Sequence, residues 1–208
     1  MQHNTSSALT LPSEGHVSAD TSHPSSPARR QFLQKASALG AATAAGLIFP
    51  PGVLANDFWQ RPRTLYLRRA GTNETIRETY WADGKILMPG YKRICHILRD
   101  VRAGVSTEMN LRLLDILAGT QGWFLSHRQD RLIVVTSGLR TEVTNANTEG
   151  AAKNSNHKDG RAADITIPDV PADYLAKLAL YLQGGGVGWY PSRHFVHVDT
   201  GRQRFWKG

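Results

Sequence analysis

The chain has 208 residues, 40% hydrophobic and 20% charged, a composition that suits one ordinary globular domain preceded by a further segment. Cys95 is its one cysteine, so an internal disulfide is excluded. The formal net charge of +8 comes from scattered residues, without the basic run or aromatic-interleaved patch that nucleic-acid binding predicts, and suits an anionic partner.

Met1 to Pro27 is rich in Ser, Thr, His and Pro and lacks apolar periodicity, so it reads as a disordered leader. Ala28-Arg29-Arg30-Gln31-Phe32-Leu33-Gln34-Lys35 then precedes an apolar run from Ala36 to Phe49 and the small-residue site Val53-Leu54-Ala55. These are the parts of an export signal, and the run is too short to cross a bilayer about 30 Å thick. The paired arginines resemble a twin-arginine signal, which implies export of the folded protein to the periplasm. The expected division is a leader and signal over 1–55 and a folded domain over 56–208. Cleavage after Ala55 leaves 22 basic against 15 acidic residues, and at an exported address a wall polymer suits that balance better than nucleic acid.

Residues 64–68 and 75–80 alternate imperfectly, and Asp83-Gly84 offers a tight turn into Lys85-Ile86-Leu87, which together predict a small antiparallel sheet. Ile94, Ile97, Leu98 and Val101 mark an amphipathic helix from Gly90 to Arg102, with Cys95 a buried, inert thiol. Leu111, Leu114, Leu117 and Ala118 mark a second helix capped by Asn110. Leu132 to Thr136 is a β-branched run and reads as a buried strand, followed by a polar loop from Glu142 to Asn156. A short strand spans 162–167, Pro171 opens a helix reaching Gln183, and Phe195 to Asp199 forms the last expected strand. The fold class is α+β, a small antiparallel sheet with flanking helices.

Five histidines follow the expected cleavage site. His157 and His197 lie among strand and turn signals, and Asp164 adds a hard oxygen donor seven positions after His157, across the Gly160 turn. Two imidazoles and one carboxylate would hold Zn²⁺ with one position open, as catalytic sites do. Alternation along the last strand places Asp199 on the face of His197, where it can orient that ring or simply end the strand. His96 and His127 read as ordinary surface histidines. Trp189 and Tyr190 are either packing or an apolar wall for a peptide.

Ser155-x-His157-x-x-Gly160-x-Ala162-x-Asp164, followed by a strand with His197, resembles the metal motif of the zinc D-Ala-D-Ala peptidases, a family sharing its fold with the Hedgehog signalling domain. Ser137-Gly138-Leu139-Arg140-Thr141 and the segments 185–191 and 197–201 extend the resemblance to nearly all of 64–207. Within the family, the chain resembles the twin-arginine-exported murein endopeptidases of Gram-negative bacteria.

The resemblance implies zinc held by His157, Asp164 and His197. It also implies that Arg140 steadies a substrate carbonyl or oxyanion and that Ser155 hydrogen-bonds substrate. Relatives often carry Glu or Asp three positions before the last ligand; His194 stands there and is the expected acid–base residue. The function implied is hydrolysis of peptide bonds in peptidoglycan cross-links, including diaminopimelate–diaminopimelate 3-3 links. The alternatives are a D-alanyl carboxypeptidase and a non-catalytic, zinc-containing wall-binding module.

Overall fold

Leu65, Leu67 and Arg69 alternate onto the buried side of β1 (Arg63–Arg69), as a strand's period of two requires. The structure, a computed structural model, describes residues 59–208; the expected leader and signal over 1–55 lie outside the described residues. β1 pairs antiparallel with β2 (Thr75–Ala82), which turns through Asp83 and Gly84, at φ 49° and 74°, into β3 (Lys85–Ile86). Positive φ at both central positions defines the favoured hairpin turn, and Asp-Gly tolerates it best.

Helix α1 (Met88–Ile97) begins with Pro89 in its first turn and buries Tyr91, Ile94, Cys95 and Ile97. The helix expected to reach Arg102 stops at Ile97. The Asp100 carboxylate accepts from the backbone N–H of Arg102 and Ala103, and the Leu98 carbonyl accepts from Leu139, so this segment bonds away from the helix axis. α2 (Leu111–Ser126) is capped by Asn110, which accepts from the Arg112 N–H. Leu113, Leu114 and Leu117 join Leu65, Leu67 and Ile133 in one core, where each buried side chain contributes roughly 1.5–3 kcal/mol.

Strand β4 (Ile133–Ser137) lies parallel to β1. A five-residue helix, α3 (Glu142–Ala146), interrupts the expected polar loop because Thr141 caps it, accepting from the Thr144 N–H. β5 (Ala162–Thr166) is followed by α4 (Ala172–Tyr181), with Pro171 one place earlier than expected, at the N-cap. Then come β6 (Gly186–Tyr190), a 3₁₀ turn over Pro191–Arg193, β7 (Phe195–Asp199) and β8 (Arg204–Lys207).

The α+β class holds, but the sheet is larger than the small antiparallel one expected. Its eight strands run in the order β3-β2-β1-β4-β5-β7-β6-β8, and the pairs β1·β4 and β6·β8 are parallel. The extra strands escape sequence periodicity for local reasons: β6 has glycine at two of its five positions, and β8 is four residues long with charged ends. No helix among the described residues is long and apolar enough to cross a membrane.

Candidate metal centre

A row of paired residues crosses the sheet. Ser137 faces Asp164, Asp164 faces His197, His197 faces Gly188, and Gly188 pairs with Trp206. Registered positions bring side chains on one face close together, so strand pairing alone brings Asp164 to His197. His157 arrives from the turn before β5, where its carbonyl accepts from the Gly160 and Arg140 N–H groups.

The three expected ligands converge. His157 Nε2 lies 3.2 Å from Asp164 Oδ1 and 3.1 Å from His197 Nδ1, and His197 Nδ1 lies 2.9 Å from the same Asp164 oxygen. All three side chains are buried, at 1%, 6% and 8% exposure.

The other polar atom of each is fixed from outside. His157 Nδ1–H donates to the Gly138 carbonyl at 2.6 Å, His197 Nε2–H donates to Asp199 at 2.9 Å, and Asp164 Oδ2 accepts from Arg140 at 2.8 Å. One free donor atom per residue, each oriented by an outer partner, is the arrangement a bound divalent ion requires. The donor chemistry, two nitrogens and one oxygen, suits zinc.

The electrostatics of the three groups differ. Burial lowers the His157 pKa, which keeps that ring neutral and able to ligate. Burial also works to raise Asp164, but the two imidazoles hold its carboxyl well below the usual carboxylate range. For His197 burial works downward and is outweighed by the hydrogen bonds its ring makes to the carboxylates of Asp164 and Asp199, which raise it.

Two glycines are there for close approach. A Cβ on Gly138 would overlap the Leu98 backbone carbonyl, so the residue must be bare for its own carbonyl to reach His157. A Cβ on Gly188 would overlap the Trp206 indole, whose ring lies 5.2 Å from that of His197.

The centre opens into a cavity of about 640 Å³, lined by Arg140, Ser155, His157, Asp164, Tyr190 and His197 among others. Arg140 is buried and anchored through Nε to Ser137 Oγ at 3.0 Å as well as through Nη2 to Asp164. Ser155 Oγ accepts from the His157 N–H at 3.3 Å. His194 is placed apart: it ends the 3₁₀ turn at φ 54°, its side chain is exposed, and it is not among the residues lining the cavity. The backbone turns outward at this left-handed residue, and Phe195 takes the inward place, stacking on Tyr190 at 4.5 Å.

Trp189 is half-buried against the core, so of the expected aromatic wall only Tyr190 faces the cavity. His127 caps the end of α2 beside Trp123, and His96 is exposed near Glu74.

The family model described as peptidoglycan L,D-endopeptidase MepK matches residues 58–206. The chain belongs to this family. It is 34% identical over 182 residues to peptidoglycan L,D-endopeptidase MepK of Escherichia coli (strain K12), covering 86% of this chain and 96% of that protein. The same identity over 165 residues relates it to probable peptidoglycan L,D-endopeptidase MepK of Haemophilus influenzae, covering 77% of this chain and 88% of the relative. The matched span takes in every residue of the row across the sheet and all of His157, Asp164 and His197.

Several residues of the site carry no motif that sequence reading picks out. Asp100 holds the segment bearing Arg140, accepting from the Thr141 N–H at 2.8 Å and its hydroxyl at 3.0 Å. Arg204 grips Asp199 from β8, and Trp206 flanks His197. Arg69 lines the cavity from the end of β1. For Arg69 a signal exists, since a charged residue continues the Leu65–Leu67 register where an apolar one is expected.

Proposed function

We propose that this chain is a zinc-dependent peptidoglycan endopeptidase, exported to the periplasm by the twin-arginine route, that hydrolyses peptide bonds in wall cross-links, the 3-3 diaminopimelate link among them. Membership of the family described as peptidoglycan L,D-endopeptidase MepK supports the substrate class. The observation that carries the chemistry is the convergence of His157, Asp164 and His197 on one point, each with its second polar atom fixed.

Held by those three residues, zinc supplies Lewis acidity, which activates water and polarises an amide carbonyl near neutral pH. The chain's own groups do the rest. Arg140 fixes Asp164 through Nη2 and has no hydrogen bond from Nη1 among the described residues, leaving that N–H for the oxygen of the scissile carbonyl. Ser155 lies on the cavity wall within the motif, where its hydroxyl can turn from the His157 N–H to a substrate amide.

The acid–base role needs a group inside the cavity. Of the carboxylates lining it, Asp100, Asp164 and Asp199 are all hydrogen-bonded, whereas Glu149 is exposed with no partner among the described residues. Glu149 is the first candidate for this role in our reading, with His194, at the motif spacing, as the alternative.

Incubating purified mucopeptides with the protein and following them by mass spectrometry tests the reading. Loss of cross-linked dimers is the expected result. Loss of a terminal alanine instead means a carboxypeptidase, and tight binding with no cleavage means a wall-binding module.

A further inference from the structure

Arg69 is an anomaly in this core. It is 7% exposed, at the end of β1, yet its Nε and Nη1 have no hydrogen-bond partner among the described residues. A buried guanidinium with two idle donors costs more than almost any other unpaired side chain, because both its charge and its N–H groups have left water.

The neighbouring carboxylates do not relieve it. Asp100, Asp164 and Glu74 act on Arg69 through space, but each is committed elsewhere: Asp100 to Thr141, Asp164 to Arg140 and the two histidines, Glu74 to Arg99 and Thr72. Arg69 forms no ion pair with any of them. It lines the same cavity as the metal cluster, together with Arg102, Arg140, Arg193 and Arg204. A planar donor fork held in a cavity wall matches a carboxylate, which can accept two parallel N–H bonds.

We propose that Arg69 is a specificity-determining residue whose guanidinium binds a free carboxylate of the peptide lodged in this cavity. The inference rests on the proposed peptidase reading for the nature of that peptide. Two carboxylates on a wall cross-link have the right chemistry, the one on the diamino acid's side chain and the one at the chain terminus. Arg69 shares one cavity lining with His157, Asp164 and His197, so a peptide lodged there can bring such a group to the guanidinium.

The test compares three synthetic cross-link peptides: both carboxylates free, the side-chain carboxylate amidated, or the terminal carboxylate amidated. Binding to the full chain is measured by calorimetry, and cleavage is followed separately. Amidating the recognised carboxylate is expected to weaken binding roughly 10- to 100-fold, the scale of losing charged hydrogen bonds, and which amide does so identifies the group. Arg69→Gln should bind acid and amide forms about equally, while Arg69→Lys should keep part of the preference.

If neither amide weakens binding to the wild-type chain, the proposal is overturned, whether or not Arg69→Gln folds. It is also overturned if the preference survives in folded Arg69→Gln. A preference that is present and lost on substitution, with no cleavage of any peptide, upholds the Arg69 site and sinks the peptidase reading instead.

Discussion

His197 Nε2 lies 2.9 Å from the carboxylate of Asp199, two residues further along the same strand, while its Nδ1 faces Asp164. One residue thus orients another through the period of the strand, and Arg204 holds the orienting carboxylate in turn at 2.6 Å. Asp199→Asn keeps the shape and removes the charge. Zinc affinity should fall by roughly 10- to 100-fold, as for other lost outer partners of a ligand histidine, and competition with a chelating dye measures it.

Gly138 joins packing to the geometry of the His157, Asp164 and His197 cluster, because its carbonyl orients His157 while its bare Cα lies against the Leu98 backbone. Gly138→Ala should lower stability by about 1–3 kcal/mol through overpacking and weaken zinc binding together with it. Thermal unfolding with and without added zinc separates the two effects: the gap between wild type and variant should widen when zinc is present.

The alternative acid–base residues make opposite predictions. Glu149→Gln should lower kcat by about 10²-fold or more with zinc retained, the scale of general acid–base catalysis. His194→Ala should leave kcat within about threefold. Steady-state rates on a cross-linked mucopeptide decide between them.

Away from the site, the Arg99 side-chain hydrogen bond, helped by Thr72, lowers the Glu74 pKa from 4.5 to about 2. A carboxylate with a depressed folded pKa contributes stability that is present above its unfolded value and lost as pH falls through the folded one. Stability should therefore decline between about pH 4.5 and pH 2 in the wild type. Glu74→Gln should flatten that part of the profile, and chemical denaturation across this range checks it.

The cluster of His157, Asp164 and His197 is legible in the sequence because the motif is local: His157, Gly160 and Asp164 sit within eight residues, and alternation in β7 puts His197 and Asp199 on one face. The α2 cap and the Asp83-Gly84 turn were legible for the same reason, since each depends on neighbouring residues alone. What escaped depends on distant pairing. Trp206 reaches His197 only because β8 lies beside β6 and Gly188 leaves room. Asp100 holds Thr141 across 41 positions, and the Leu98 carbonyl, just past the end of α1, accepts from Leu139 across 41 positions as well. His194 follows the motif spacing yet falls outside the cavity lining, because a left-handed backbone at that residue gives Phe195 the inward place.

The account rests on one ion shared by His157, Asp164 and His197, and zinc content measured alongside cleavage of a cross-linked mucopeptide tests it most directly. Purified wild-type chain should carry one zinc and cleave the dimer, and His157→Ala should lose both together while keeping its fold by circular dichroism. A metal-free His157→Ala chain that still cleaves the dimer at the wild-type rate would contradict it.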